Sequence, residues 1–163
     1  MYDKRYKIYG KNNMGIKMNY KEFKEYFFRL IGNRENIYHP LVWINGNPKI
    51  GKNISIGGFS EINANESKIE IGDNCDIASF VAINVADSHK KCIELIKENE
   101  RKPIKIGNNV FIGSHCFIGG GTVIGHHSVI GAGVVLKGEK VPPYSLVTRG
   151  KDNIIIREGF YNG

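Results

Sequence analysis

The chain has 163 residues, 41% hydrophobic and 24% charged, with a formal net charge of +7. That length predicts one globular domain. No stretch is apolar for the length of a membrane span, and the opening MYDKRYKIYGKNN lacks the apolar core of a secretory signal, so the expected location is the cytoplasm. The 23 Lys and Arg residues are scattered and no nucleic-acid-binding signature is visible; a polyphosphate ligand or a solvated basic surface is the better account of the charge.

From the N-terminus, Asn19 is placed to cap a helix running from Tyr20 to Ile31, with Gly32 as its stop. Phe23, Phe27, Leu30 and Ile31 fall on one face. That face suits a cap over the open end of a solenoid, or else an acceptor-site wall or subunit contact. Residues 39–45, HPLVWIN, read as a strand leading into the first coil of a repeat region.

A six-residue repeat then governs the chain. Ile106, Ile112, Ile118, Ile124, Ile130 and Leu136 are evenly spaced branched aliphatics, and the first five are each followed by glycine. Four positions after each of the first five comes a small or β-branched residue: Val110, Cys116, Thr122, Ser128, Val134. An earlier block repeats the grammar with Ile50, Ile56, Ile62, then Ile71, Ile77, Ile83. A period of six fits neither an α-helix nor an alternating meander. It fits a coil with flat sides, in which each hexapeptide is a short strand and a corner. The aliphatic and the small residue point inward, and glycine eases the backbone turn. Cys75 and Cys116 fall in the small inward slots. With Cys92 they make an odd set without a CxxC pair, which argues against a disulfide framework or a thiolate metal site.

The repeat is interrupted between Ile62 and Ile71, and again between Ile83 and Ile106, where the insert 90–103, KKCIELIKENERKP, is expected to carry a short helix around Cys92–Glu98. The expected organisation is a helix/strand cap over 1–48, the repeat over 49–147 and a tail over 148–163. The hexapeptide that ends at His89 departs from the pattern twice: Asn84 stands where glycine is usual, and Asp87 where a small inward residue is usual. Broken regularity marks functional or strained positions, although a coil opening into a loop also favours Asn and Asp.

IGNNVFIGSHCFIGGGTVIGHHSVIGAGVV followed by VPPYSLV resembles the hexapeptide-repeat acyltransferases, more narrowly the galactoside and maltose O-acetyltransferase branch with its polysaccharide O-acetyltransferases. The resemblance is clear over residues 50–147. It implies an all-β left-handed parallel β-helix of triangular section, a handedness opposite to the usual crossover rule, with the N-terminal helix and a protruding loop attached. It further implies a homotrimer with acetyl-CoA lying in a cleft between coils, and a histidine beside the protruding loop as base.

His89 occupies that place, ahead of the restart Pro103-Ile104-Lys105-Ile106-Gly107. A sugar hydroxyl has a high pKa, so its deprotonation must accompany attack on a thioester, and imidazole titrates in the useful range. Asn84 or Asp87 would hold the tautomer and steady the imidazolium. Carried over by position, Phe111 matches a packing contact to the pantetheine arm, Gly113 and Ser114 a backbone-amide donor to the oxyanion, and Ala132 a backbone contact. Lys137 and Lys140 lie where the CoA phosphates approach, and Arg149 and Arg157 are further cations suited to phosphate. The stretch LKGEKVPP carries an insertion relative to the family, and Asp152 stands where the family has proline.

The expected reaction is direct transfer in a ternary complex to the hydroxyl of a sugar or polysaccharide. No cysteine is expected in the centre, which disfavours an acyl-enzyme. N-acetylation of an amino sugar and a non-catalytic β-helix scaffold are the alternatives. A zinc site of the γ-carbonic-anhydrase kind needs two histidines four residues apart on adjacent turns; no such pair occurs, and no metal is expected.

Overall fold

The computed structural model describes residues 6–9, 15–30 and 37–160. The chain divides into two compact units, Met1–Pro40 and Leu41–Gly163. In the first, strands Tyr6–Tyr9 and Gly15–Met18 pair antiparallel, and helix α1 spans Tyr20–Leu30. Its start is a reciprocal capping box: the Glu22 amide donates to Asn19 Oδ1 at 3.0 Å, and the Asn19 amide to Glu22 Oε2 at 2.8 Å. The predicted apolar face is rotated. Phe28 is the buried residue, beneath Lys24, while Leu30, the last residue of the helix, is exposed. Ile31 and Gly32 lie outside the described residues.

The second unit is a three-sided parallel β-helix of five turns. Face one stacks Trp43–Asn45, Glu61–Asn63, Ala82–Asn84, Phe117–Gly119 and Val135–Lys137. Face two stacks Lys49–Ile50, Ile69–Ile71, Ile104–Ile106, Val123–Ile124 and Lys140–Val141. Face three stacks Ser55–Ile56, Asp76–Ile77, Phe111–Ile112, Val129–Ile130 and Leu146–Arg149, and Ile154–Arg157 closes it antiparallel. Trp43–Asn45 does not lead into the coil; it is the first rung of face one.

The hexapeptide aliphatics fill the axis. Ile62, Ile83, Ile112, Ile118, Ile130 and Leu136 are fully buried. The small slots are also buried, and their polar members bond across to the next turn. Cys75 Sγ donates to the Gly107 carbonyl at 3.2 Å, Cys116 Sγ to Gly131 at 3.1 Å, and Ser128 Oγ to Pro142 at 3.1 Å. Burial pushes both thiols up, so they are packing groups rather than nucleophiles.

The repeat glycines have a different job from the one expected. Gly107, Gly113 and Gly125 do not adopt positive φ. A Cβ on Gly113 would lie 2.6 Å from the Ala132 nitrogen, and one on Gly125 2.3 Å from the Pro143 nitrogen, so glycine permits close stacking of turns. The left-handed residue comes three positions after the aliphatic: Asn109, His115, Gly121, His127 and Gly133.

Corner lengths are unequal. From face two to face three, and from face three to face one, the inward aliphatics are always six apart, as in 106–112–118. All variation falls on the corner from face one to face two, where the steps are 44 to 50, 62 to 71, 83 to 106, 118 to 124 and 136 to 141. Both insertions therefore stack on one edge, and an Arg101–Glu66 ion pair at 3.2 Å joins them.

Candidate active site

On that edge the long insert begins and ends as a short ladder: Ala86 pairs with Arg101 and Asp87 with Glu100. Between them helix α2 covers only His89–Cys92, earlier and shorter than the sequence suggested. The antiparallel pairing sets Asp87 on a strand, and two residues later the chain turns, so the His89 ring folds back onto the Asp87 carboxylate.

A cleft of about 650 Å³ opens here, walled in part by Asn84, Asp87, His89, Cys92, Lys102 and Lys137. His89 Nδ1 meets Asp87 Oδ1, and the His89 amide donates to the same oxygen at 3.2 Å. The Lys137 ammonium contacts Asp87 Oδ2 at 2.5 Å. Lys137 first, and then His89, hold the Asp87 carboxyl well below the usual carboxylate range. With Nδ1 engaged by a carboxylate, Nε2 is the ring nitrogen left for a proton acceptor's role. The His89 side chain is 55% exposed, so a reactant can reach it.

Asn84 lines the cleft, but its Oδ1 accepts from the Ala86 amide at 2.9 Å. It shapes the turn into the insert, and no contact joins it to His89. Lys137, expected near the CoA phosphates, has its ammonium on the Asp87 carboxylate. Lys140 lies on face two, its ammonium donating to the Gly121 carbonyl at 3.0 Å. Cys92 is exposed in the cleft wall, which corrects the expectation that the centre holds no cysteine.

The remaining sequence candidates are elsewhere on the chain. Phe111 is a half-exposed outward residue of face three, between Asp76 and Val129. Gly113, Ser114 and Ala132 form the corner from face three to face one, where the Ser114 carbonyl accepts from Gly133 at 2.9 Å. Arg149 lies at the turn of the closing hairpin and Arg157 at its far end, opposite Leu146. Ser114 lies at the corner before strand Phe117–Gly119 and does not line the cleft, whose wall on this strand begins at Phe117.

The approach of Lys137 to the broken hexapeptide, rather than to phosphate, was within reach of the repeat. Asn84, Gly119 and Lys137 each come directly after a face-one aliphatic and stack in register. Counting hexapeptides alone puts Lys137 two rungs from Asn84. Lys102, by contrast, belongs to the insert, which has no period to count.

Among the described residues, no group of three or more His, Cys, Asp or Glu side chains is gathered as a metal site, and no helix is long and apolar enough to cross a membrane.

Residues 103–138 match the bacterial transferase hexapeptide (six repeats) model. The chain is 37% identical over 134 residues to galactoside O-acetyltransferase of Escherichia coli (strain K12), covering 80% of this chain and 64% of that protein. It is similar to the structure of a galactoside acetyltransferase in complex with coenzyme A, with a TM-score of 0.63 and 33% identity over 77% of this chain and 62% of the other. A maltose O-acetyltransferase from Clostridium difficile 630 aligns with a TM-score of 0.53 and 25% identity, covering 84% of each chain. The chain thus spans a little under two thirds of the galactoside enzymes it matches.

Proposed function

We propose that this chain, which matches the bacterial transferase hexapeptide model over residues 103–138, transfers an acetyl group from acetyl-CoA to a hydroxyl of a sugar or polysaccharide, with His89 as general base. The observation that carries the reading is the engagement of His89 Nδ1 by Asp87 at the mouth of an open cleft. It leaves Nε2 to accept the acceptor's proton as the hydroxyl oxygen attacks the thioester carbonyl. Asp87 steadies the imidazolium while the tetrahedral species exists. Collapse breaks the carbon–sulfur bond, and the imidazolium returns its proton to the departing thiolate.

The Ser114 amide is the proposed oxyanion donor. Because it lies at the corner away from His89, it serves a neighbouring copy's cleft, and the active assembly is a homotrimer. The insert supports this: Ile93 and Leu95 are exposed apolar side chains on a protruding loop, suited to burial against another subunit. Phe111, Gly113 and Ala132 would flank the pantetheine arm, and Arg149 and Arg157 supply cations for phosphate.

The test is thiol release from acetyl-CoA in the presence of galactosides and maltosides. His89→Ala should cut turnover by about 10²- to 10⁴-fold and keep CoA binding. Turnover unchanged by that substitution would remove His89 from the mechanism, and a chain that neither binds nor cleaves acetyl-CoA would be a scaffold.

A further inference from the structure

A second groove runs from the cleft onto face two. It has a volume of about 470 Å³ and is lined by four lysines, Lys68, Lys102, Lys105 and Lys140, against one carboxylate, Glu70, with Pro103 and Val123 as its apolar part. Lys102 lines both this groove and the cleft that holds His89, so the two adjoin. The outward residues of face two stack as Lys49, Glu70, Lys105, Val123 and Lys140. Glu70 is paired with Lys49 at 3.5 Å, at the end of the ladder away from Lys140. Among the described residues Lys68, Lys102, Lys105 and Lys140 have no carboxylate within ion-pair distance. Lys105 and Lys140 stand two rungs apart, about 10 Å along the face.

Four ammonium groups without carboxylate partners around a narrow apolar floor repel one another and attract a ligand with repeated negative charge. The groove adjoins the cleft that holds the base, where the acceptor must present its hydroxyl. We infer that the acceptor is an anionic saccharide, carrying carboxylate or phosphate groups, which lies along face two with a hydroxyl of its leading sugar at His89. This inference rests on the acetyl-transfer reading and specifies its substrate class. Lysine suits such a ligand because a flexible point charge tolerates varied anion placement along a polymer.

The test is equilibrium binding, read independently of turnover. The probes are an oligogalacturonate, a glycerol-phosphate oligomer and a neutral maltooligosaccharide of matched length, with CoA affinity measured on the same samples. At least one anionic oligomer should bind where the neutral one does not, and binding should weaken as ionic strength rises to about 0.15 M. Lys105→Gln/Lys140→Gln should lower that affinity by about tenfold or more while leaving CoA affinity within about twofold. Lys52→Gln, a lysine outside the groove lining, should leave it unchanged. Equal binding of neutral and anionic oligomers, or binding of none, would overturn the inference. So would a double variant that loses CoA and keeps the saccharide, which would make the groove a cofactor-phosphate site. Failure of acetyl-CoA cleavage with saccharide binding retained would sink the transferase reading alone.

Discussion

Asp87 grips His89 twice with one oxygen, at the ring Nδ1 and at the main-chain amide, and offers its other oxygen to Lys137. The carboxylate therefore sets both where the imidazole sits and which of its nitrogens faces the cleft. Asp87→Asn retains the shape but removes the charge, and leaves the ring free to present either nitrogen. The expected result is a fall in kcat of about 10- to 100-fold with KM for acetyl-CoA little changed, against a loss of about 10²- to 10⁴-fold for His89→Ala. Steady-state kinetics of the two variants measures this; an Asp87→Asn enzyme with full kcat would make the contact incidental.

Lys137 distinguishes two roles. As a phosphate contact its loss would raise KM for acetyl-CoA at constant kcat. As the partner of Asp87 its loss should lower kcat and spare KM. Lys137→Met is expected to do the second, by about tenfold or more, and initial-rate measurements over a range of acetyl-CoA concentrations separate the outcomes.

Acid should loosen this corner in a defined direction. The Asp87 carboxyl is depressed by Lys137 and His89. Its contribution to stability is therefore complete above the unfolded carboxylate value near about 3.9, and is lost as pH falls below that toward the folded value. Thermal unfolding of the wild type should show a steeper fall in midpoint below about pH 4 than Asp87→Asn does. Parallel curves would mean that the pairing contributes nothing to folding.

Cys92 offers a chemical handle. It is exposed in the cleft, whereas Cys75 and Cys116 are buried. A maleimide should modify Cys92 alone in the native protein and block turnover by filling the cleft. Cys92→Ala should be resistant to the reagent and remain active, consistent with direct transfer; an inactive Cys92→Ala would point to an acyl-enzyme instead. Peptide mapping of the labelled protein reports which thiol reacts.

Turn stacking predicts the cost of a methyl group. Gly113→Ala places a Cβ against the next turn's backbone, 2.6 Å from the Ala132 nitrogen, where no side chain can yield. Destabilisation of about 1–3 kcal/mol is expected from overpacking. Asn109→Gly, at a left-handed corner with φ of 56°, should be close to neutral. Denaturant unfolding of both variants checks the contrast.

The hexapeptide pattern by itself determined the solenoid. A period of six with paired inward slots admits few ways of burying Ile112, Ile118 and Ile124, and each buried aliphatic repeats the same local solution. The same count located the broken hexapeptide at 84–89, and with it His89 and Asp87. It misassigned the glycines, because their constraint comes from the neighbouring turn; the left-handed corners three residues after the aliphatic were signalled by Asn53, Asn74 and Asn109, since asparagine tolerates that conformation best among residues with a Cβ. What only the tertiary structure decided lies off the repeat. The insert's ladder turns His89 onto Asp87, and stacking brings Lys137 to the same carboxylate from two rungs away. Cys92 and Lys102 reach the cleft from a segment with no period. Periodicity encodes contacts between equivalent positions on successive turns; an aperiodic loop folds against whatever surface its ends deliver it to, and that surface exists only once the coil has closed.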